Sequence, residues 1–186
     1  MALTTIAALE THPAGAANPN DIVNANWALL DDWLGGWYAD IHVIGATSGV
    51  SEGALTAVTW QKLVAFNDGT FGFNGAARKI AADKANAQID VGASYIDQKY
   101  EVSWRVAFST DLTGIFRLKP YYNGAALTDS RGEVTATVNS SHGVQVLSSP
   151  PVIYEPAAAA SFELWIYPTP AATILVHNAL LSARRI

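Results

Sequence analysis

The chain has 186 residues, 50% of them hydrophobic and only 15% charged, with a net charge of −5 and no cysteine. That length suffices for one domain with a substantial core plus an extension. The absence of any basic block argues against a nucleic-acid partner, the missing cysteines exclude disulfides and thiolate metal sites, and the low charge density points to apolar surface covered by partner subunits.

The opening stretch Met1-Ala2-Leu3-Thr4-Thr5-Ile6 carries neither a basic region nor a long apolar run, so neither a signal peptide nor a membrane insertion is expected. Residues 1–20 are rich in small side chains and broken by Pro13, Gly15 and Pro19. They read as an extended arm, with Leu3, Ile6 and Leu9 recurring at threes.

Residues 21–36 read as one short α-helix, capped by Asn20 or Asp21 and stopped by Gly35-Gly36. Val23, Asn26, Leu30 and Trp33 recur at spacings of three and four, the pattern of an a/d seam. So short a helix is marginal alone, because nucleation is costly and few bonds repay it. Either it packs on its own β-domain, with Trp27 and Leu34 widening the stripe, or it aligns several copies as a short coiled coil. The second reading is favoured, with Asn26 fixing the register.

From residue 37 the period changes to two, and 37–186 reads as one antiparallel β-domain. Ile41 and Val43 mark a short strand, 47–53 a Gly/Ser-rich turn, and Asn67-Asp68-Gly69 a turn of hairpin type. Within 71–92, Ala76 to Ala87 reads as a helix by propensity or as loop and short strand, the latter favoured. Tyr100, Val102, Trp104, Val106 and Phe108 alternate with Glu101, Ser103, Arg105 and Ala107, so three aromatics and two valines share one face of a central strand. Ile115 to Tyr122 sends Phe116 and Leu118 inward and Arg117 and Lys119 outward, and Asn123-Gly124 is the clearest hairpin dipeptide. Glu133 to Asn139 and Val144 to Ser148 supply two more strands, the second ended or edged by Pro150-Pro151. Ser161 to Tyr167 places Phe162, Leu164 and Ile166 on one face and Glu163, Trp165 and Tyr167 on the other; Thr173 to His177 is the last strand. Several short strands separated by turn signals make a sandwich or a barrel.

An aromatic-rich strand, then a strand ending in Tyr122-Asn123-Gly124, then a doubly amphipathic Phe162 to Tyr167 with the final strand close behind, resembles the trimeric jelly-roll family of C1q and tumour necrosis factor type. The Gly-Asp turn usual before the penultimate strand is replaced here by Glu155-Pro156 and a run of alanines. In front, Thr11 to Gly15 running into Asp21 to Leu30 is similar to the N-terminal segments of bacteriophage fibre and spike proteins. Together the two imply a homotrimeric, non-enzymatic virion protein assembled in the host cytoplasm: a fibre, spike or decoration protein. Leu3, Ile6, Leu9 and Pro13 would lie against other virion proteins, and Val23, Asn26, Leu30, Trp33, Trp165 and Tyr167 would form the oligomer interface.

A search for chemistry returns little. His12, His42, His142 and His177 show no ligand spacing, and Glu101, Glu133 and Glu163 sit at outward strand positions where a solvated face is the plainer reading. Ser141-His142 lacks nucleophile-elbow glycines. No cofactor, metal or catalytic group is expected. The competing function is a receptor- or glycan-binding tip, for which Tyr121 and Tyr122 are the candidate ligand contacts.

Overall fold

The computed structural model describes residues 38–43, 48–67, 70–73, 80–83, 85–92, 98–122, 125–126, 132–156 and 159–186. The expected arm and helix lie outside them, and with them Leu3, Ile6, Leu9, Pro13, Val23, Asn26, Leu30 and Trp33. In chain order the strands are β1 (Tyr38–Val43), β2 (Val50–Ala54), β3 (Gln61–Lys62), β4 (Thr70–Phe73), β5 (Ile80–Asp83), β6 (Gln88–Val91) and β7 (Tyr100–Thr110). They continue as β8 (Gly114–Tyr122), β9 (Ala125–Ala126), β10 (Val134–Val138), β11 (Gln145–Ser148), β12 (Val152–Tyr154), β13 (Ala160–Pro168) and β14 (Thr173–Arg185). Sheet 1 runs β11-β7-β14-β1-β4, with β12 also on β7 and β2 on β14; sheet 2 runs β10-β8-β13-β6-β5, with β3 on β13 and β9 on β8. All of these pairings are antiparallel. The fold is an antiparallel jelly-roll sandwich.

The alternation read from the sequence is what builds the core. Tyr100, Val102, Trp104, Val106 and Phe108 of β7 and Ile174, Val176, Ala179, Leu181 and Ala183 of β14 face Phe116 and Leu118 of β8 and Phe162, Leu164 and Ile166 of β13, all buried. Ring contacts knit the two layers: Phe108 meets Phe116 at 5.5 Å and Tyr100 meets Phe162 at 6.2 Å between centroids. The Trp104 indole N–H, inside this layer, donates to the Gly132 carbonyl at 2.9 Å.

Several local expectations are corrected. The last strand does not stop at His177: a register shift between Val176 and Asn178 inserts one residue, and the inward side then resumes at Ala179, Leu181 and Ala183 through to Arg185. A bulge that resets the alternation hides the second half of a strand from any period-two reading. Pro150-Pro151 follows the end of β11 as expected, and β12 then rejoins the same edge of β7 at Val102. The 47–53 turn is partly strand, since β2 lies on β14. Strands β3 and β4, on either side of Asn67-Asp68-Gly69, lie in different sheets and form no hairpin. Among the described residues of 71–92 there is no helix but three strands, with a β5–β6 hairpin turning at Ala85–Ala87. Tyr122 pairs with Ala125, while the Asn123-Gly124 dipeptide itself lies outside the described residues.

Candidate functional site

The sandwich presents two outer faces of different chemistry. On sheet 2, the outward residues of β8 and β13 stand opposite one another: Arg117 against Tyr167, Lys119 against Trp165, and Tyr121 against Glu163. Along the other edge of β13 the chain passes from Leu55 to Leu63, tied by N–H donation from Leu55 to the Ala172 carbonyl, from Val58 to Pro168 and from Leu63 to Leu164, each at 2.8 Å. This passage brings Trp60 onto the face. Trp60 then lies 5.7 Å from the Tyr121 ring and 5.3 Å from the Tyr167 ring, while Trp165 stacks on Tyr121 at 4.4 Å with only 11° between planes. The Arg117 guanidinium sits over both Trp60 and Tyr167, at 5.6 and 5.3 Å.

Polar groups rim this aromatic patch. Glu163, only 7% exposed, accepts from Lys62 Nζ at 2.8 Å and from the Trp165 indole N–H at 2.7 Å. Lys62 also donates to Gln88 at 3.1 Å, and the Gln88 amide donates to Asp90 at 2.8 Å. Burial holds the Asp90 carboxyl above the usual carboxylate range against the opposing pull of the Gln88 hydrogen bond. Arg117 donates to Glu133 at 2.7 Å. Burial chiefly, and then Glu133, push the Tyr121 phenol above its ordinary value, with Arg117 opposing. Lys119 is the exception: it is 8% exposed and makes no hydrogen bond or ion pair among the described residues.

The outer face of sheet 1 is flatter and less aromatic. The register places Ser103 beside Ser182, with their hydroxyls 2.8 Å apart, and Ser109 beside Leu175, while the bulged His177 brings its Nε2 to 3.0 Å from the Ser109 hydroxyl. Ala107 lies opposite Val146, and Ile153 opposite Glu101, which pairs with Arg184 at 2.9 Å. Exposed apolar side chains stand around this small-residue stripe: Tyr38 at 38%, Val146 at 49%, Ile153 at 50% and Leu175 at 36%.

Trp165 and Tyr167 therefore lie on the outer face of sheet 2, half-buried, with their rings already against Tyr121, Trp60 and Arg117 of the same chain. Tyr121 shares that face. Tyr122 does not: its ring points into the sandwich, 4.8 Å from Tyr154 and 6.1 Å from Phe162. Sequence reasoning missed Trp60, because a residue in a nearly unpaired segment carries no periodic signal. Lys119 lies on the outward face, as the alternation expects, with 8% of its surface exposed.

No family model matches the sequence, and no curated protein matches it. Among solved structures the chain is similar to the PRD1 vertex protein P5, at 14% identity over 81% of this chain and 97% of that one, with a TM-score of 0.48. It is similar to murine APRIL at 10% identity, covering 80% and 99% of the two chains with a TM-score of 0.49. Eiger TNF from S. frugiperda aligns at 9% identity over 81% and 93%, with a TM-score of 0.47. At such identities and scores these likenesses decide nothing about partners or activity.

Among the described residues, no group of three or more His, Cys, Asp or Glu side chains could hold a metal ion, and no helix is long and apolar enough to cross a membrane. His42 Nδ1 lies 3.3 Å from Asp40, and His142 ends a one-turn 3-10 helix at Ser140–His142.

Proposed function

We propose that the protein is a non-enzymatic structural component of a bacteriophage virion, a homotrimeric surface fibre, spike or decoration protein held to the particle by residues 1–20. The observation that carries this reading is the outer face of sheet 1, where Val146 and Leu175 are exposed near one end and Tyr38 and Ile153 near the other. Exposed apolar side chains on one sheet face are unfavourable in water and favour association, which buries them. Ser103, Ala107, Ser109 and Ser182 between them leave room for a partner's backbone to approach closely. A face that meets a different part of the next copy closes into a ring, and the threefold ring is the one the sequence resemblance implies. Trp165 and Tyr167 contribute less to such an association than sheet 1 does, because part of their ring surface is already covered within the chain.

The native mass of the full-length protein tests the assembly. The expected value is three times 19.8 kDa. The double variant Val146→Glu, Leu175→Glu is expected to shift it to the single-chain mass at micromolar concentration while far-UV circular dichroism is retained. A wild-type monomer at every concentration, or a trimer indifferent to both charges, would refute the sheet 1 interface. Detection of the chain in density-purified particles tests the virion role, and its absence there ends that role.

A further inference from the structure

We infer that Lys62 and Gln88 become joined by an isopeptide bond, the Lys62 amine displacing ammonia from the Gln88 carboxamide while Glu163 moves the proton. The inference concerns sheet 2 alone and does not depend on association through sheet 1.

Three strands deliver the three groups. Lys62 stands on β3, Gln88 on β6 and Glu163 on β13. Strand β3 pairs with β13 at Trp165 and Ile166, and β6 pairs with it from Ala160 to Phe162. Since β8 occupies the other side of β13, β3 and β6 follow one another along a single edge, with Glu163 between the two contacts. Lys62 Nζ is 2.8 Å from Glu163 Oε1 and 3.1 Å from Gln88 Oε1. A nucleophile, an electrophilic carbonyl group and a proton acceptor therefore meet at one point.

Further groups hold them there. Trp165 donates its indole N–H to Glu163 Oε2 at 2.7 Å, which leaves Oε1 to Lys62. Gln88 Nε2 donates to Asp90 at 2.8 Å, which leaves the carbonyl end of the amide to the amine. Glu163 is buried and Lys62 half-buried, so water competes poorly for either. The terminal torsion of a glutamine is soft, and a small rotation brings Cδ beneath Nζ. Groups held in this way react as if at an effective concentration of about 10⁵ M or more. Glu163 need only free the amine briefly, because the product accumulates.

The step balances. Glu163 takes a proton from the Lys62 ammonium, and the freed lone pair adds to Gln88 Cδ. Glu163 returns the proton to Nε2, the Cδ–Nε2 bond breaks, and its electron pair leaves on ammonia. The surplus proton on the new amide nitrogen passes through Glu163 to that ammonia, which departs as ammonium. One C–N bond replaces another and nothing is oxidised or reduced. Lys62 and Gln88 are consumed, so each chain reacts once. The bond fastens two short strands that do not pair with each other, in a chain without cysteine and hence without disulfides.

Intact-mass spectrometry of the full chain, aged in mildly alkaline buffer, tests this. The expected mass is about 17 Da below that of the sequence, the mass of one ammonia. A tryptic digest should hold Lys62 and Gln88 in one branched peptide, uncut after Lys62. Lys62→Arg and Glu163→Gln should each keep the full mass while far-UV circular dichroism is retained. Asp90→Asn, which still accepts from Gln88, should lose ammonia as the wild type does. Glu163→Asp replaces Glu163→Gln if that fails to fold, and should slow the loss about tenfold or more. A folded wild-type chain that keeps its full mass would overturn the inference. So would a branched peptide that lacks either residue, or a loss that proceeds equally in Lys62→Arg or Glu163→Gln.

Discussion

The chain contains the same chemical change in two environments, which allows burial itself to be tested. Trp104 and Trp165 each donate an indole N–H, the first to the Gly132 carbonyl inside the core, the second to Glu163 on an outer face. Replacing Trp104 by Phe strands a buried carbonyl, a loss of about 1–3 kcal/mol. The missing ring also leaves a void on the order of 40 Å³, adding about 1 kcal/mol at the measured slope for cavities. The expected total is about 2–4 kcal/mol. Trp165→Phe keeps a ring against Tyr121, and Glu163 keeps Lys62 at 2.8 Å, so its expected loss is about 1 kcal/mol or less. Urea unfolding followed by circular dichroism measures both, at matched protein concentration because an oligomer's midpoint depends on it. Equal losses, or a larger loss for Trp165→Phe, would refute the assignment of Trp104 as the buried donor whose partner has no alternative.

Two further outcomes concern single positions. The Asp90 carboxyl titrates higher in the folded chain than its ordinary 3.8, so its ionised form disfavours folding at neutral pH, and that penalty fades as pH falls through 3.8. Asp90→Asn, which retains an acceptor for Gln88, should therefore raise the melting temperature at pH 7 and leave it nearly unchanged near pH 3.5; a gain of equal size at both would contradict this. Gly132 sits at φ +76, and a Cβ there would fall 2.7 Å from a Val152 methyl, so Gly132→Ala should lower stability by about 1–3 kcal/mol in the same urea assay, and an unshifted midpoint would contradict it.

Much of the sandwich was legible because its longest strands keep a strict period of two. Strands β7, β8 and β13 each separate a buried apolar face from a mixed one, and nothing interrupts them. Legibility failed where the backbone breaks period while pairing continues. One extra residue at His177 inverts the face of β14, and two prolines split the strand opposite β7 into β11 and β12. The outer face of sheet 2 was half legible. Trp165, Tyr167 and Tyr121 could be placed by alternation, which also separates Tyr121 from Tyr122. Trp60 reaches the same patch from a passage held by isolated backbone hydrogen bonds, and Lys119 is only 8% exposed although it alternates outward with Arg117 and Tyr121. Neither has a one-dimensional signature.

Strand β14 lies between β7 and β1, and among the described residues no other strand joins those two. Until its residues leave the ribosome, sheet 1 is left as two multi-strand pieces, β1 with β4 and β7 with β11 and β12, and a lone β2. Pieces of two or three strands are marginally stable, and each holds open the edge that β14 will occupy. Tyr38 waits for Arg184 across most of the chain's length. Closing so distant a pair is slow, because loop entropy must be overcome before any contact rewards it. During that interval neighbouring nascent chains on one messenger can offer their own strands to the same open edges. The position of one strand in the chain thus sets how long each copy remains able to pair with the wrong molecule.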